Sequence, residues 1–358
     1  MDKIGIVLIN YKDYAEKFIE ECRDTLRTQT FPIEQTTVYI IDNAGNDETM
    51  NYLHQICPEA KVYLRPDGNY SAGNNLGIKK ALEDGCDYVV ITNMDTRFDK
   101  DWLLELYTAA KIRPDAGMIQ SKVLLYPADL SKPEEFKINT VGNFIQYLGF
   151  GFTDGYNLLN SEYKNTDIAE IKGYCSGCSQ IISREVLERI GSYNEEYYMY
   201  HDDIEMGWRA KLAGYKLYLA PKSIIFHKYE FGRSVRMLYY MERNRFIAIL
   251  SFYKIRTLLL LLPIMLFMEA GMWAYALLGG WIGTKFRVFL YFLRLDSWRK
   301  IWQTRVAIQS TRRLKDKDIL KTMNPTIEFQ EIANFALKHI ANPIITAYYY
   351  LILKLIIW

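Results

Sequence analysis

Ile4-Gly-Ile-Val-Leu-Ile-Asn-Tyr11 is a run of β-favouring apolar residues that stops abruptly at Asn10-Tyr11. A strand apolar at successive positions is buried on both faces, as in a parallel sheet covered by helices. The pattern returns at Val38-Tyr-Ile-Ile41, Lys61-Val-Tyr-Leu64 and Tyr88-Val-Val-Ile-Thr92, and a charge-rich helical stretch runs to about Thr28 after the first run. Strands alternating with helical patterns through residue 200 or so predict βαβ units and an α/β fold with a mostly parallel sheet. Ligands of such open sheets bind beyond the carboxyl ends of the strands, so the polar residues closing each run are the candidates for function.

After Lys122 the pieces become shorter, aromatic and glycine-rich, as in Phe144–Phe152, and read as hairpins and loops over the sheet. A helical stretch follows Ser183, an acidic cluster stands at His201-Asp-Asp-Ile-Glu205, a helix runs through Ala213, and a strand follows over Tyr215–Leu219. There is no internal repeat and no low-complexity linker. At 358 residues the chain has the length of about two domains. Half of it is hydrophobic and 24% is charged, which excludes disordered, collagen-like and disulfide-stapled classes.

The net charge of +2 conceals a split, because Lys228–Lys321 carries 18 Lys and Arg against 6 Asp and Glu. A basic segment of this kind faces an anionic surface, either nucleic acid or membrane headgroups. Its apolar residues select the membrane. Thr257–Thr284 holds 28 residues with Glu269 as the one charge, long enough to span a bilayer, although Pro263, Gly271 and Gly279-Gly280 disfavour a straight spanning helix. Lys285–Ser310 then places Tyr291, Leu295, Trp298, Trp302 and Val306 at helical spacing among Arg287, Arg294, Arg299, Lys300 and Arg305, the pattern of an interfacial amphipathic helix or of a soluble helix packed on the α/β domain. The apolar tail Ile344–Trp358 is short for a span and suits an interfacial or re-entrant anchor. The five cysteines are odd in number and no secretory signal pattern opens the chain, which predicts a reducing cytosol. Cys175-Ser-Gly-Cys178 lacks the second pair of a zinc site and any redox-domain context, so it reads as packing or loop lining.

Asn93-Met-Asp95 closes the fourth strand, where an oxygen ligand would hold a divalent cation on two phosphates of a nucleotide; a turn or helix cap is the alternative. Asp202, Asp203 and Glu205 crowd three carboxylates into four residues, a costly cluster unless water, a cation or a raised pKa offsets it. It reads either as a solvated acidic helix start or as a base for a sugar hydroxyl, with His227 a metal ligand through neutral imidazole.

Together, Val7–Tyr11, Ile41–Ala44, Asn69–Gly77, Asn93–Asp95, Gly173–Gly177, His201–Glu205 with Trp208-Arg209, and His227 resemble, in order, the family 2 glycosyltransferases of the GT-A fold, particularly bacterial rhamnosyl- and galactofuranosyltransferase-like members that build surface polysaccharides. The resemblance covers roughly residues 3–245. It implies a GT-A domain over 1–230 and a helical, basic, apolar membrane-docking region over 231–358. It implies a nucleotide pocket of Asn10, Tyr11, Asp42, Gly73, Asn74, Asn75 and Asn93, and Mg2+ or Mn2+ on Asp95 and His227. It gives Asp203 as general base with Asp202 beside it, and an acceptor site of Ser176, Gly177, Trp208, Arg209 and Arg243. Arg233, Arg236 and Arg245 join Arg243 as candidates for an acceptor diphosphate or anionic lipid, or as snorkelling flank residues. Asn93 departs from the family's frequent Asp. The implied reaction is inverting transfer of a sugar to a polyprenyl-diphosphate-linked glycan at the cytoplasmic face of the membrane. L-rhamnose from dTDP-rhamnose is favoured over UDP-galactofuranose, UDP-galactose or UDP-glucose. A non-catalytic nucleotide-sugar-binding partner is the competing reading, and oligomeric state leaves no sequence signal.

Overall fold

The computed structural model describes residues 2–43, 46–229, 238–328 and 335–358; Ala44, Arg233 and Arg236 lie outside the described residues. The chain forms two compact units, one of Met1–Asn143, Thr153–Ala210 and Tyr215–Tyr229, the other of Phe144–Phe152, Lys211–Gly214 and Glu230–Trp358.

In the first unit β1 (Ile4–Asn10), β2 (Thr36–Asp42), β3 (Lys61–Leu64) and β4 (Tyr88–Asn93) form the expected parallel half of the sheet, ordered β3-β2-β1-β4. All of β1 is buried. The connections are α1 (Tyr14–Arg27), α2 (Asp47–Ile56), capped by the Asn46 side chain, and α3 (Tyr70–Glu83), capped by Asn69. α3 lies close on β1 because Gly5 faces Ala81: a Cβ there would stand 2.6 Å from the Ala81 Cβ.

Beyond β4 the sheet is mixed. It adds β5 (Thr96–Phe98), β6 (Ala116–Leu125), β7 (Ile138–Thr140), β10 (Ala169–Glu170), β11 (Ser179–Ser183) and β12 (Lys216–His227), while β8 (Asn143–Ile145) and β9 (Gly151–Thr153) pair with each other. β11 runs antiparallel between β4 and β6, and β12 runs parallel to β6. β12 extends eight residues past the strand expected at Tyr215–Leu219. Pro221 concealed that extension, and the ladder to β6 is irregular between Ala220 and Ile224. α4 (Trp102–Ile112), α5 (Arg184–Ile190) and α6 (Asp202–Leu212) complete the helices of this part of the chain.

The second unit contains α7 (Leu238–Phe252), α8 (Ile255–Leu278), α9 (Ile282–Phe292), α10 (Leu295–Thr311), α11 (Asp316–Leu320) and α12 (Asn342–Leu355). α8 is one helix despite Pro263. The continuous helix expected over Lys285–Ser310 is instead broken between Phe292 and Leu295, where Trp298 Nε1 donates to the Phe292 carbonyl at 2.7 Å and closes the corner. The spaced residues do not form one face, since Tyr291 is buried whereas Leu295, Trp298, Trp302 and Val306 are exposed.

Candidate active site

Sheet pairing brings Asp95 and His227 together across 132 positions. β5 runs antiparallel to the end of β12, setting Thr96 opposite His227, and the Lys228 N–H donates to the Asp95 carbonyl at 3.0 Å. His227 Nε2 then lies 3.5 Å from Asp95 Oδ1. His227 Nδ1 faces Asn139 Oδ1 at 3.1 Å, and since an amide oxygen only accepts, Nδ1 carries a proton. Burial opposes a charge on this ring, but Cys178 and the Asp95 carboxylate outweigh it and hold its pKa well above the ordinary value. One oxygen and one imidazole nitrogen, oriented by a neighbour, suit a divalent cation of the Mg2+ or Mn2+ kind. Among the described residues no group of three or more His, Cys, Asp and Glu converges, so further ligands would be phosphate oxygens and water.

The acidic cluster forms the first turn of α6. Asp202 is buried, and burial followed by the Asp203 charge raises its pKa well above the carboxylate range. Asp203 is part-exposed and accepts from the Ile204 N–H at 2.8 Å. Burial pushes its carboxyl up to about 6, against stabilising bonds from the Ile204 and Gly177 N–H groups. The residues before it are held in the left-handed region, with φ of 65° at Tyr198 and 62° at Tyr200 and His201. Such strain in bulky residues is stored where surrounding structure fixes a functional turn.

The Cys175–Cys178 loop links these two centres. Its Gly177 N–H faces Asp203 and its Cys178 faces His227. Ser176 N–H donates to Gln120 Oε1 at 2.7 Å, which ties the loop to β6. Both cysteines are buried and free, and burial drives the Cys175 thiol far up, so the pair packs the loop. Tyr70 adds the remaining wall, its hydroxyl donating to Asn93 Oδ1 at 3.1 Å.

Tyr11 lines a cleft of about 440 Å3 with Lys12, Asn43, Asn46, Asp67 and Gly68. Asn10 and Asp42 are buried and joined by an Asn10 Nδ2 to Asp42 Oδ1 bond of 2.8 Å, while Asn10 Oδ1 accepts from the Ala15 N–H. The other expected nucleotide residues are placed differently. A Cβ at Gly73 would meet the Asn43 amide and Ile9, so this glycine serves helix packing on the sheet. Asn74 is fully buried and donates to the Tyr70 carbonyl. Asn75 bonds the Tyr193 backbone at both its carbonyl and its N–H, and also Glu195, fixing the 193–195 loop.

Two acceptor candidates also have structural surroundings. Trp208 is 1% exposed. The Arg209 guanidinium donates to the Ile190 and Ser192 carbonyls and to buried Glu205 at 2.8 Å. Arg243 belongs to the second unit, where it stacks on Tyr239, Tyr240 and Tyr291. Sequence reasoning missed Tyr70, Gln120 and Asn139, the groups that orient Asn93, the Cys175–Cys178 loop and His227. Tyr70 lay inside the quoted Asn69–Gly77 motif; Gln120 lies within the ten-residue β6 and Asn139 within the three-residue β7.

Comparison with known proteins matches the same region. The model of Glycosyl transferase family 2 matches residues 5–191. The low-salt glycan biosynthesis hexosyltransferase Agl10 of Haloferax volcanii is 27% identical over 218 residues, covering 59% of this chain and 62% of that protein, so the match spans under two thirds of its length. The N-acetylglucosaminyl-diphospho-decaprenol L-rhamnosyltransferase of Mycobacterium tuberculosis is 23% identical over 251 residues, covering 63% of this chain and 76% of that one. The crystal structure of GalNAc-T7 with UDP, GalNAc and Mn2+ superposes with a TM-score of 0.57 at 14% identity, over 71% of this chain and 49% of that chain, a likeness of fold. With its curled mixed sheet of GT-A type and a family model matched over more than half its length, the chain belongs to glycosyltransferase family 2.

Proposed function

We propose that the chain is an inverting hexosyltransferase that uses a nucleotide sugar and a divalent cation to extend a lipid-linked glycan in surface polysaccharide synthesis. The observation that carries this reading is Asp203, a part-exposed carboxyl poised near 6 beside a loop whose far end touches the Asp95 and His227 pair. A base with a pKa close to the working pH is the most effective acceptor of a hydroxyl proton.

The nucleotide would enter the cleft of Tyr11, Lys12 and Asn43, with its diphosphate toward Asp95 and His227. A divalent cation held there supplies charge neutralisation for the departing diphosphate. Asp203 would take the proton of the acceptor hydroxyl as that oxygen attacks the anomeric carbon from the side opposite the diphosphate. A single displacement of this kind inverts the anomeric configuration. Burial raises the Asp202 pKa well above the carboxylate range, which disfavours a second negative charge beside the base.

The named activity of the mycobacterial relative supports L-rhamnose as the transferred sugar and a polyprenyl-diphosphate acceptor; dTDP-L-rhamnose is the first donor to screen, with UDP-galactofuranose, UDP-galactose and UDP-glucose as the alternatives. In this reading residues 1–230 perform the transfer, and residues 231–358 dock on the cytoplasmic face of the membrane, where the acceptor's lipid resides. Calorimetry with a panel of nucleotide sugars, with and without Mn2+, tests it. One donor should bind only when the cation is present; equal binding of all donors in EDTA would reject the assignment.

A further inference from the structure

We infer that α8 does not cross the bilayer but lies along one leaflet, with both its ends and the helices after it on the same side of the membrane. The inference rests on the reading that the second unit docks on a membrane, and it concerns how that docking is built.

By length alone α8 qualifies as a span: 24 residues rise ~36 Å, against a hydrocarbon core of ~30 Å. Its neighbours do not permit it. Glu269, near the middle of α8, receives Arg245 of α7 and Lys285 of α9, each at 2.8 Å. Both cations also reach Glu242 of α7, Lys285 at 2.6 Å and Arg245 at 3.4 Å. This neutral group of two acids and two bases clamps the centre of α8 to α7 and α9. Placing Glu269 at mid-bilayer would carry all four charges there.

The return path is also too short. After Gly279-Gly280 the chain turns back through α9, whose 11 residues rise only ~16 Å, about half the core. A spanning α8 would therefore leave Arg294, Asp296, Arg299 and Lys300, all exposed, near the bilayer centre. Charged side chains are strongly disfavoured at that depth.

An in-plane α8 removes the conflict. Thr257, Leu261, Ile264 and Met268 face the unit's own core, whereas Leu259, Leu262 and Leu266 are exposed on α8. Phe286 and Leu290 of α9 and Trp298 and Trp302 of α10 are likewise exposed. These side chains would enter the acyl boundary while Arg287, Arg294, Arg299 and Lys300 meet anionic headgroups, the arrangement of an interfacial anchor.

The test uses the full chain carrying a short site-specific protease sequence between Gly279 and Gly280, in sealed vesicles with the N-terminal unit outward. The inference expects protease added outside to cut without detergent. Cutting only after detergent opens the vesicles would place the corner on the far side and overturn it. Leu278→Cys gives a second reading, since Leu278 is 87% exposed and the five native thiols are buried. An impermeant maleimide should modify it from the outer side; modification confined to the lumen contradicts the inference. Failure of the unaltered chain to float with vesicles of anionic lipid would instead remove the docking reading, and the inference with it.

Discussion

Replacing Asp203 with Asn should abolish transfer and at the same time stabilise the protein at neutral pH. The folded state raises this carboxyl from the ordinary 3.8 to about 6, so folding favours its protonated form. Stability from this group is therefore greatest below about pH 4 and falls as pH rises towards 6, above which the penalty is complete. The full interval corresponds to ~3 kcal/mol. Solvent screening of a part-exposed carboxyl reduces the expected penalty to ~1–2 kcal/mol. Asparagine keeps an oxygen for the Ile204 N–H but has no charge to desolvate. Thermal unfolding near pH 7.5 should then rise by ~2–8 °C in Asp203→Asn, and the gain should vanish near pH 4. Transfer should fall by ~10^2–10^4-fold while cation-dependent nucleotide affinity stays at the wild-type value. A lower melting temperature at neutral pH, or a gain equal at both pH values, would refute the electrostatic reasoning. Near-normal turnover would refute the assignment of the base.

In the wild type, kcat/KM should rise about tenfold per pH unit below 6 and level off above it, as expected for a base of that pKa. His227→Ala should weaken Mn2+-dependent donor binding, and in the wild type Mn2+ affinity should decline as pH falls because proton and cation compete for the same nitrogen, a decline that calorimetry would not find in the variant. Arg209→Met should destabilise by ~3–5 kcal/mol, since it leaves Glu205 buried without its cation, while acceptor KM in the surviving fold stays unchanged; a raised KM at normal stability would return Arg209 to the acceptor site. Leu295→Glu combined with Trp302→Glu, both on exposed positions of α10, should reduce flotation with anionic liposomes and leave nucleotide binding intact.

In the parallel half of the sheet β1 and β4 were legible because they are buried on both faces and read as unbroken apolar runs. The other half was not. β6 carries Gln120, Ser121 and Lys122 within its span, and β12 contains Pro221, so neither shows a clean period. Those polar residues work inside the fold: Gln120 holds the Ser176 amide, and Ser121 joins Ser179, Ser223 and Trp102. Asp95 and His227 were named from motif order, but their approach depends on β5–β12 pairing, a contact with no local sequence mark. Conversely, the glycine- and asparagine-rich Asn69–Gly77 stretch looked like ligand contacts, whereas Asn75 and Gly73 meet the protein's own backbone and side chains. Short polar residues at a helix start serve capping and loop fixation with the same chemistry that binds a nucleotide, and spacing alone does not separate the two.

The proposed transfer is a direct displacement at an anomeric carbon with Asp203 as base. Purified full-length protein, Mn2+, each nucleotide sugar of the panel and a prenyl-diphosphate-linked acceptor should yield one glycosylated lipid whose new linkage, read by NMR, has the anomeric configuration opposite to the donor's. Retained configuration, or release of free sugar with no glycosylated acceptor, would contradict it.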